Sequence, residues 1–260
     1  MRALVADVVD ASCVDGPGNR YVVFLQGCTF RCVTCHNPHT ISPRPTPTSR
    51  WAEVEDLAAD IARRAPFLSG VTVSGGEATL QWEAVRALFQ ALAADPATAA
   101  LTRLVDSNGD CVPEVWEALA PWMHGAMVDL KALDPVVHRE LTGRSNGRVL
   151  CTIRQLTAID RLTEVRLLIV PGANDDAAQV AATARWLAAL DPVPPVVVQG
   201  FRHEGTRPAA RRYRPATTAL LEGVAARLVA GGLPPSLVRT RGIVGAEPAP
   251  PAEVPVQVGA

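Results

Sequence analysis

Tyr21-Val22-Val23-Phe24-Leu25-Gln26-Gly27-Cys28-Thr29-Phe30-Arg31-Cys32-Val33-Thr34-Cys35-His36-Asn37-Pro38 carries an apolar run straight into three cysteines spaced C-x3-C-x2-C. The run reads as a buried strand, and the cysteines as the loop at its C-terminal end. Three of the six cysteines of the chain lie within this loop, so their thiolates can converge on one metal centre. A closed zinc site takes four ligands, and an electron-transfer iron–sulfur cluster is also held by four cysteines. Three thiolates on a four-iron cube therefore leave one iron free for another ligand. The spacing alone leaves iron–sulfur, zinc and unligated thiols all standing. His36 could complete a Cys3His zinc site, although a ligand next to Cys35 has little freedom to swing into a tetrahedron. Nothing in the sequence points to secretion, so no disulfide is expected.

Outward from this loop the chain alternates between apolar runs and amphipathic stretches. A short strand is expected over Leu4–Val9. Past the cysteines, strands are expected at Val71–Val73, Leu101–Val105, Ala126–Leu130, Val165–Val170 and Val196–Val198. Trp51, Val54, Leu57 and Ile61 share one face of a helix with Ser49 as its cap. Trp82, Val85, Leu88, Phe89 and Leu92 mark a second helix. Others are expected at Pro113–Leu119, Pro135–Leu141, Arg148–Ile159, Ala177–Leu190 and Thr217–Val229. Six strands alternating with helices, counted from Tyr21, imply parallel strands joined by right-handed crossovers. That is an α/β fold, a barrel or partial barrel, in a single domain over residues 1–241. Residues 242–260 are rich in Pro, Ala, Val and Gly, lack periodicity and are expected to be a disordered tail.

The chain has 260 residues, 48% of them hydrophobic, 20% charged, and a formal net charge of −1. This balance gives no general attraction to nucleic acid or an anionic membrane. Acids interrupt the apolar residues after Met1, and no apolar run is long enough to span a bilayer, so a cytoplasmic protein is expected. Of 25 basic residues, Lys131 is the single lysine.

Chemistry in α/β barrels collects at the C-terminal ends of the strands, and each strand here ends in reactive residues. The first delivers Cys28, Cys32 and Cys35, the second Ser74-Gly75-Gly76-Glu77, and the third Asp106-Ser107-Asn108-Gly109. Asp129-Leu130-Lys131 ends the fourth, Pro171-Gly172-Ala173-Asn174-Asp175 the fifth, and Phe201-Arg202-His203-Glu204 the sixth. Read alone, Gly75-Gly76-Glu77 is an ordinary turn, and its place at a strand end opposite the cysteines is what singles it out. Asp106 and Asp129 are either a pair of solvated turn acids or, if they face each other across neighbouring strands, repelling charges with a cation or Lys131 between them.

The C-x3-C-x2-C loop is the signature of radical S-adenosylmethionine enzymes. With Asp15-Gly16-Pro17-Gly18 before it and Cys35-His36-Asn37-Pro38 after it, the chain resembles the glycyl-radical-enzyme activases, the family of the pyruvate formate-lyase activating enzymes. Matching motifs run to about residue 205. The resemblance implies an open, partial (β/α)6 TIM-type barrel. It implies that Cys28, Cys32 and Cys35 hold a [4Fe-4S] cluster whose fourth iron binds S-adenosylmethionine. Thr34, Cys35 and His36 would lie against that cofactor, and Gly75-Gly76-Glu77 would receive its methionyl amino group. Asp106, Ser107, Asp129, Leu130 and Lys131 would form the rest of the pocket, in some relatives with a monovalent cation. Lys131 is counted with the cysteines as catalytic.

Arg166, in a stretch like the family's R-x-x-x-x-P-G, would point into the barrel; an internal ion pair is the alternative. Relatives place a cofactor-binding histidine directly after an aromatic residue. Here that position is Arg202, and His203 follows it, so either could serve. Leu141-Thr142-Gly143-Arg144-Ser145-Asn146 resembles the family's T-G-x-x-N loop, expected near the entrance for a protein substrate. Arg207, Arg211, Arg212 and Arg214 form a basic run, either a solvated face or a dock for an acidic protein. Cys111 and Cys151 are expected to be buried or half-buried thiols.

The activity implied is reductive cleavage of S-adenosylmethionine and removal of hydrogen from a backbone glycine of a partner glycyl radical enzyme. A reduced flavodoxin or ferredoxin would be the electron donor. The rival readings are a radical enzyme acting on a small molecule and a non-catalytic zinc-binding module.

Overall fold

The run from Tyr21 forms an inner strand of one nine-stranded sheet in a computed structural model that describes residues 1–241. The strands are β1 (Arg2–Ser12), β2 (Arg20–Leu25), β3 (Arg50–Glu53), β4 (Gly70–Gly75), β5 (Thr102–Ser107), β6 (Gly125–Asp129), β7 (Leu162–Ile169), β8 (Val196–Gly200) and β9 (Val238–Arg241). The helices are α1 (Val54–Arg64), α2 (Trp82–Ala94), α3 (Pro113–Leu119), α4 (Pro135–Thr142), α5 (Gly147–Ala158), α6 (Ala177–Ala188) and α7 (Thr218–Ala230). In space the strands run β3-β1-β2-β4-β5-β6-β7-β8-β9.

From β2 to β9 each neighbouring pair is parallel. Strands such as Gly70–Gly75 and Gly125–Asp129 are buried along nearly their whole length, as a parallel sheet under crossover helices requires. Local chemistry starts the helices where the sheet needs them. The Asp134 carboxylate accepts from Val136 N and Val137 N with Pro135 in the first turn, and Asp176 does the same for Ala178 N and Gln179 N. Among the described residues β3 and β9 do not pair with each other, so the sheet is an open barrel.

Arg20 closes the base of this barrel. It is 1% exposed, and its fork reaches Thr72 Oγ1 (2.6 Å), Thr102 Oγ1 (2.9 Å) and the carbonyls of Pro17, Val71 and Thr102 (3.2, 2.6 and 3.0 Å). All five N–H donors are satisfied without a carboxylate, and burial draws its pKa down to about 10. At the far flank, Arg239 of β9 pairs with buried Glu164, and Arg241 Nη1 donates to Val14 O at 2.7 Å.

The expected parallel α/β fold is present, with three differences. β1 and β3 form an antiparallel edge, joined by pairs such as Leu4↔Trp51. Trp51 is therefore a strand residue, 54% exposed with Arg2 over its ring, and the helix begins only at Val54. Ser49 caps no helix; its hydroxyl accepts from Thr46 N in the preceding turn. β9, a seventh parallel strand, is four residues long and half charged, too short for its pattern to register. Cys111 is buried as expected, but Cys151 lies exposed on α5. The tail expected over 242–260 falls outside the described residues. Among the described residues no helix is long and apolar enough to cross a membrane.

Candidate active site at the cysteine loop

β2 ends at Leu25, and its continuation is held by backbone hydrogen bonds on every side. Gly27 N donates to Thr40 O, and Cys28 N to Ile41 O. Arg31 N and Val33 N donate to the carbonyls of Thr142 and Leu141 at the end of α4 (3.0 and 2.9 Å). Two arginines add side-chain bonds. Arg144 Nε reaches Thr29 O (3.2 Å), while Arg207 Nη2 reaches Arg31 O (3.1 Å) and Cys32 O (2.7 Å).

The three thiols are half-buried and unbridged. Burial pushes Cys28 up to about 12 and Cys32 up to about 11, while Lys131 pulls Cys32 back down. Cys35 is also raised by burial, against the Asn37 backbone N–H, Lys131 and Arg207. Cys28 and Cys32 also feel charge on neighbouring cysteines. Such a group keeps its protons until a metal displaces them. Soft donors of this kind, with cations alongside, fit an iron–sulfur cluster. Among the described residues no three histidine, cysteine or carboxylate groups surround one point as a ready-made single-ion site.

The turn after β4 is pressed against the root of the cysteine loop. Gly76 N donates to Leu25 O (2.9 Å), and Glu77 N to Gly27 O (2.8 Å). A Cβ on Gly75, whose φ is +120°, would stand 2.2 Å from Leu25 N, and one on Gly76 would stand 2.1 Å from Gly27 O. Close backbone packing thus demands both glycines before any ligand is considered. The Glu77 carboxylate is 1% exposed and fully engaged. It accepts from Thr79 N (3.0 Å), Thr79 Oγ1 (2.7 Å), Ser107 Oγ (2.8 Å) and Asn108 N (2.7 Å). Burial raises its pKa and these donors oppose the rise. Glu77 therefore ties the second strand end to the third, and its contribution to a pocket is its backbone.

Across the barrel runs a line of charge. Asp106 accepts from Ser74 Oγ (2.8 Å) and Arg166 Nη1 (3.0 Å); Arg166 Nε donates to Glu164 (2.7 Å), which also meets Arg239. Burial raises the Asp106 pKa, Arg166 lowers it, and Asp129 raises it again. Burial would lower the Arg166 pKa, but Asp106 and Glu164 outweigh it and hold it above its usual range. Lys131 Nζ lies 2.7 Å from Asp129 Oδ2. Burial opposes its charge, yet Asp129 and Cys32 leave its pKa raised. The expectation that Lys131 sits between the two aspartates is thus corrected: Lys131 serves Asp129, and Arg166 serves Asp106. The internal ion pair considered for Arg166 is present.

Leu130 is core, 1% exposed, so only its backbone faces the strand ends. Thr34 is buried within the cysteine loop. His36 packs 6.4 Å from the Phe201 ring and leaves its buried Nε2 without a protein partner. Burial, then Arg202 and Lys131, lower its pKa. After β8, His203 Nε2 is 2.9 Å from Tyr213 O, and its ring meets Phe201 edge-on. The imidazole is committed to its own loop, whereas the charge of Arg202 is felt at His36.

Two residues matter more than their sequence context shows. Arg207, read in sequence as part of a basic run, is bonded to the cysteine loop from 175 residues away, a contact that no local pattern announces. Asn108 reaches Cys28 Sγ (3.6 Å) and Thr29 Oγ1 (3.2 Å); the signal available was its place beside Asp106 and Ser107 at a strand end. The T-G-x-x-N stretch supports the same region. Asn146 Nδ2 donates to Leu133 O (2.7 Å) after β6, and Arg144 braces the cysteines.

An open parallel α/β barrel with three thiols on the loop after an inner strand, ringed by glycine, aspartate and lysine strand ends, defines a class of metal-cluster enzyme. The sequence profile of the Radical SAM superfamily matches residues 22–184. Pyruvate formate-lyase-activating enzymes of Staphylococcus epidermidis and Staphylococcus aureus are each 32% identical over 190 residues, covering 69% of this chain and 73% of theirs. A domain of the pyruvate-formate lyase-activating enzyme from Bacteroides vulgatus superposes with a TM-score of 0.56 at 22% identity, over 67% of this chain and 99% of that one. A radical SAM methyltransferase from Sphaerobacter thermophilus superposes with a TM-score of 0.67 at 19% identity, over 87% of this chain and 67% of that one. The chain belongs to the radical SAM superfamily.

Proposed function

We propose that this protein is a glycyl-radical-enzyme activase. The reading is carried by one observation: in the cysteine loop Cys32 and Cys35 feel the charge of Lys131 and Cys28 meets Asn108 of the third strand end, in a chain 32% identical to proteins named pyruvate formate-lyase-activating enzymes. Cys28, Cys32 and Cys35 would hold a [4Fe-4S] cluster, leaving one iron for the amino and carboxylate groups of S-adenosylmethionine. When bound, the pair supplies a one-electron cleavage of a carbon–sulfur bond; methionine leaves, and a hydrogen atom from a partner glycine ends in 5′-deoxyadenosine.

The residues of the chain bind and orient for that step. Backbone carbonyls of the Gly75–Glu77 turn would accept from the N–H groups of the amino nitrogen, and Lys131, anchored by Asp129, would lie toward the anionic end of the cofactor. Asp106 and Ser107 line the third strand end. Arg202, with His36 beside it, borders the remaining side. Arg166 holds Asp106 by an ion pair and opposes the rise that burial imposes on its pKa. The electron donor is a reduced flavodoxin or ferredoxin.

The test is anaerobic reconstitution followed by reduction, with S-adenosylmethionine and a glycyl radical enzyme carrying deuterated glycine. Deuterium in 5′-deoxyadenosine, together with a glycyl radical signal in electron paramagnetic resonance, is the expected result. Cofactor cleavage without either would transfer the reading to a small-molecule substrate. Zinc in place of iron and sulfide would remove it.

A further inference from the structure

The Asn108 side chain is oriented by its neighbours. Its Oδ1 accepts from Asp110 N at 2.8 Å, which decides the two ends of the amide: Nδ2 must face the cysteine loop. There its two N–H groups meet two acceptors, Cys28 Sγ at 3.6 Å and Thr29 Oγ1 at 3.2 Å. The residue is 8% exposed, and its backbone N–H is fixed by Glu77 Oε2 at 2.7 Å. Cys28 Sγ also accepts from Phe30 N at 3.4 Å. Among the described residues Cys32 and Cys35 receive no side-chain N–H. One ligand sulfur is thus singled out for an amide donor, held by a carboxylate from the second strand end.

We propose that Asn108 is a positioning residue that fixes Cys28 and raises the reduction potential of the cluster through an N–H···S hydrogen bond. The proposal rests on the activase reading. An electron added to an iron–sulfur cluster spreads onto its sulfurs. A donor dipole aimed at a ligand sulfur therefore stabilises the reduced state more than the oxidised one. Partial burial strengthens the effect, since the lower local dielectric screens the pair less. Losing the donor makes the cluster harder to reduce by the flavodoxin or ferredoxin that feeds it.

Asn108→Asp keeps Oδ1 for Asp110 N, replaces the donor with an acceptor, and brings a negative charge to the sulfur. Asn108→Ala removes both ends of the amide. Each is reconstituted anaerobically and titrated electrochemically, without S-adenosylmethionine, while electron paramagnetic resonance reports the reduced cluster. At the potential that half-reduces the parent, the ratio of reduced to oxidised cluster in Asn108→Ala should fall about tenfold, or about 59 mV for one electron. Asn108→Asp should fall further, and iron content should stay equal. Variants that load fully and titrate with the parent would overturn the inference and leave the activase reading intact. A parent protein that takes up no iron would overturn both. Should neither variant load, asparagine labelled only at the side-chain amide nitrogen in the parent decides the matter, since the Asn37 donor to Cys35 is a backbone nitrogen: a resolved nitrogen coupling to the reduced cluster supports the proposal, and its absence overturns it.

Discussion

Lys131 offers the most informative perturbation, because two substitutions separate its charge from its shape. Its Nζ is 2.7 Å from Asp129 Oδ2, with the two side chains 15% and 26% exposed. Lys131→Met removes the charge and leaves Asp129 unpartnered. Breaking a fully buried pair costs about 3–5 kcal/mol, and an exposed pair is worth about 0–1. This pair lies between those limits, so a loss of about 2 kcal/mol follows, lowering Tm by about 4–8 °C in a chain of this size. The lysine pKa is raised in the fold. Its contribution is therefore complete below the ordinary lysine value and lost only as pH rises through the higher folded value, so the deficit should be constant across neutral pH. Lys131→Arg keeps the charge and most of that stability. A guanidinium is wider than an ammonium and presents a planar fork where Asp129 now meets a point donor. Formation of 5′-deoxyadenosine per cluster under a strong chemical reductant should fall at least tenfold, or about 1.4 kcal/mol, at unchanged iron content. If Lys131→Arg equals the parent, the lysine serves only as a countercharge to Asp129, and its place among the cofactor contacts is refuted.

Replacing Cys28, Cys32 or Cys35 with Ala should abolish both iron binding and cofactor cleavage, whereas Cys151→Ala on exposed α5 should change neither. Iron analysis of the reconstituted parent should give about four irons per chain, one cluster's worth; eight would reveal a second cluster. Arg207→Ala should release iron to a chelator about tenfold faster than the parent, since two carbonyls of the cysteine loop lose their donor (about 1.4 kcal/mol); an unchanged rate would show that backbone bonds suffice. His138 is wholly buried against the edge of Phe30, and burial lowers its pKa from 6.5 to about 4. A depressed histidine stabilises the fold above pH 6.5 and loses that contribution as pH falls toward 4, up to about 3 kcal/mol. Denaturant titrations should find His138→Phe less sensitive to acid than the parent over that window, and parallel curves would contradict the assignment.

Much of this arrangement was legible because parallel strands announce themselves as apolar runs. Val71–Val73 and Val196–Val198 needed only a residue or two at their ends to become β4 and β8. The strand ends were readable too, since Cys28, Gly75, Asp106 and Lys131 each lie within three residues of the end of such a run. Contacts between distant segments were not. Trp51 fits a helical face as well as a strand, and only pairing with Leu4 decides the matter. Glu77 reads as a ligand residue, yet its oxygens are claimed by Thr79, Ser107 and Asn108. The two aspartates were rightly seen to need positive charge, but which cation serves which depends on side-chain reach across the barrel. Arg207 could equally have been a solvated arginine, because its partners lie far away in the chain.

The stretch shared with the superfamily begins at residue 22 and stops at residue 184, inside α6. Two arginines that satisfy the interior lie outside it: Arg20, which fills the base, and Arg239, which neutralises Glu164. A fragment cut to the shared stretch would lose the plug from one end of the barrel and leave Glu164 with Arg166 as its one remaining cation. The common segment is therefore not a portable cassette. Chimeras that exchange it between relatives should carry β1, the turn before Arg20 and the stretch from β8 through β9 along with it, so that the parts best suited to transfer are the strand-end loops and not the segment that defines the family.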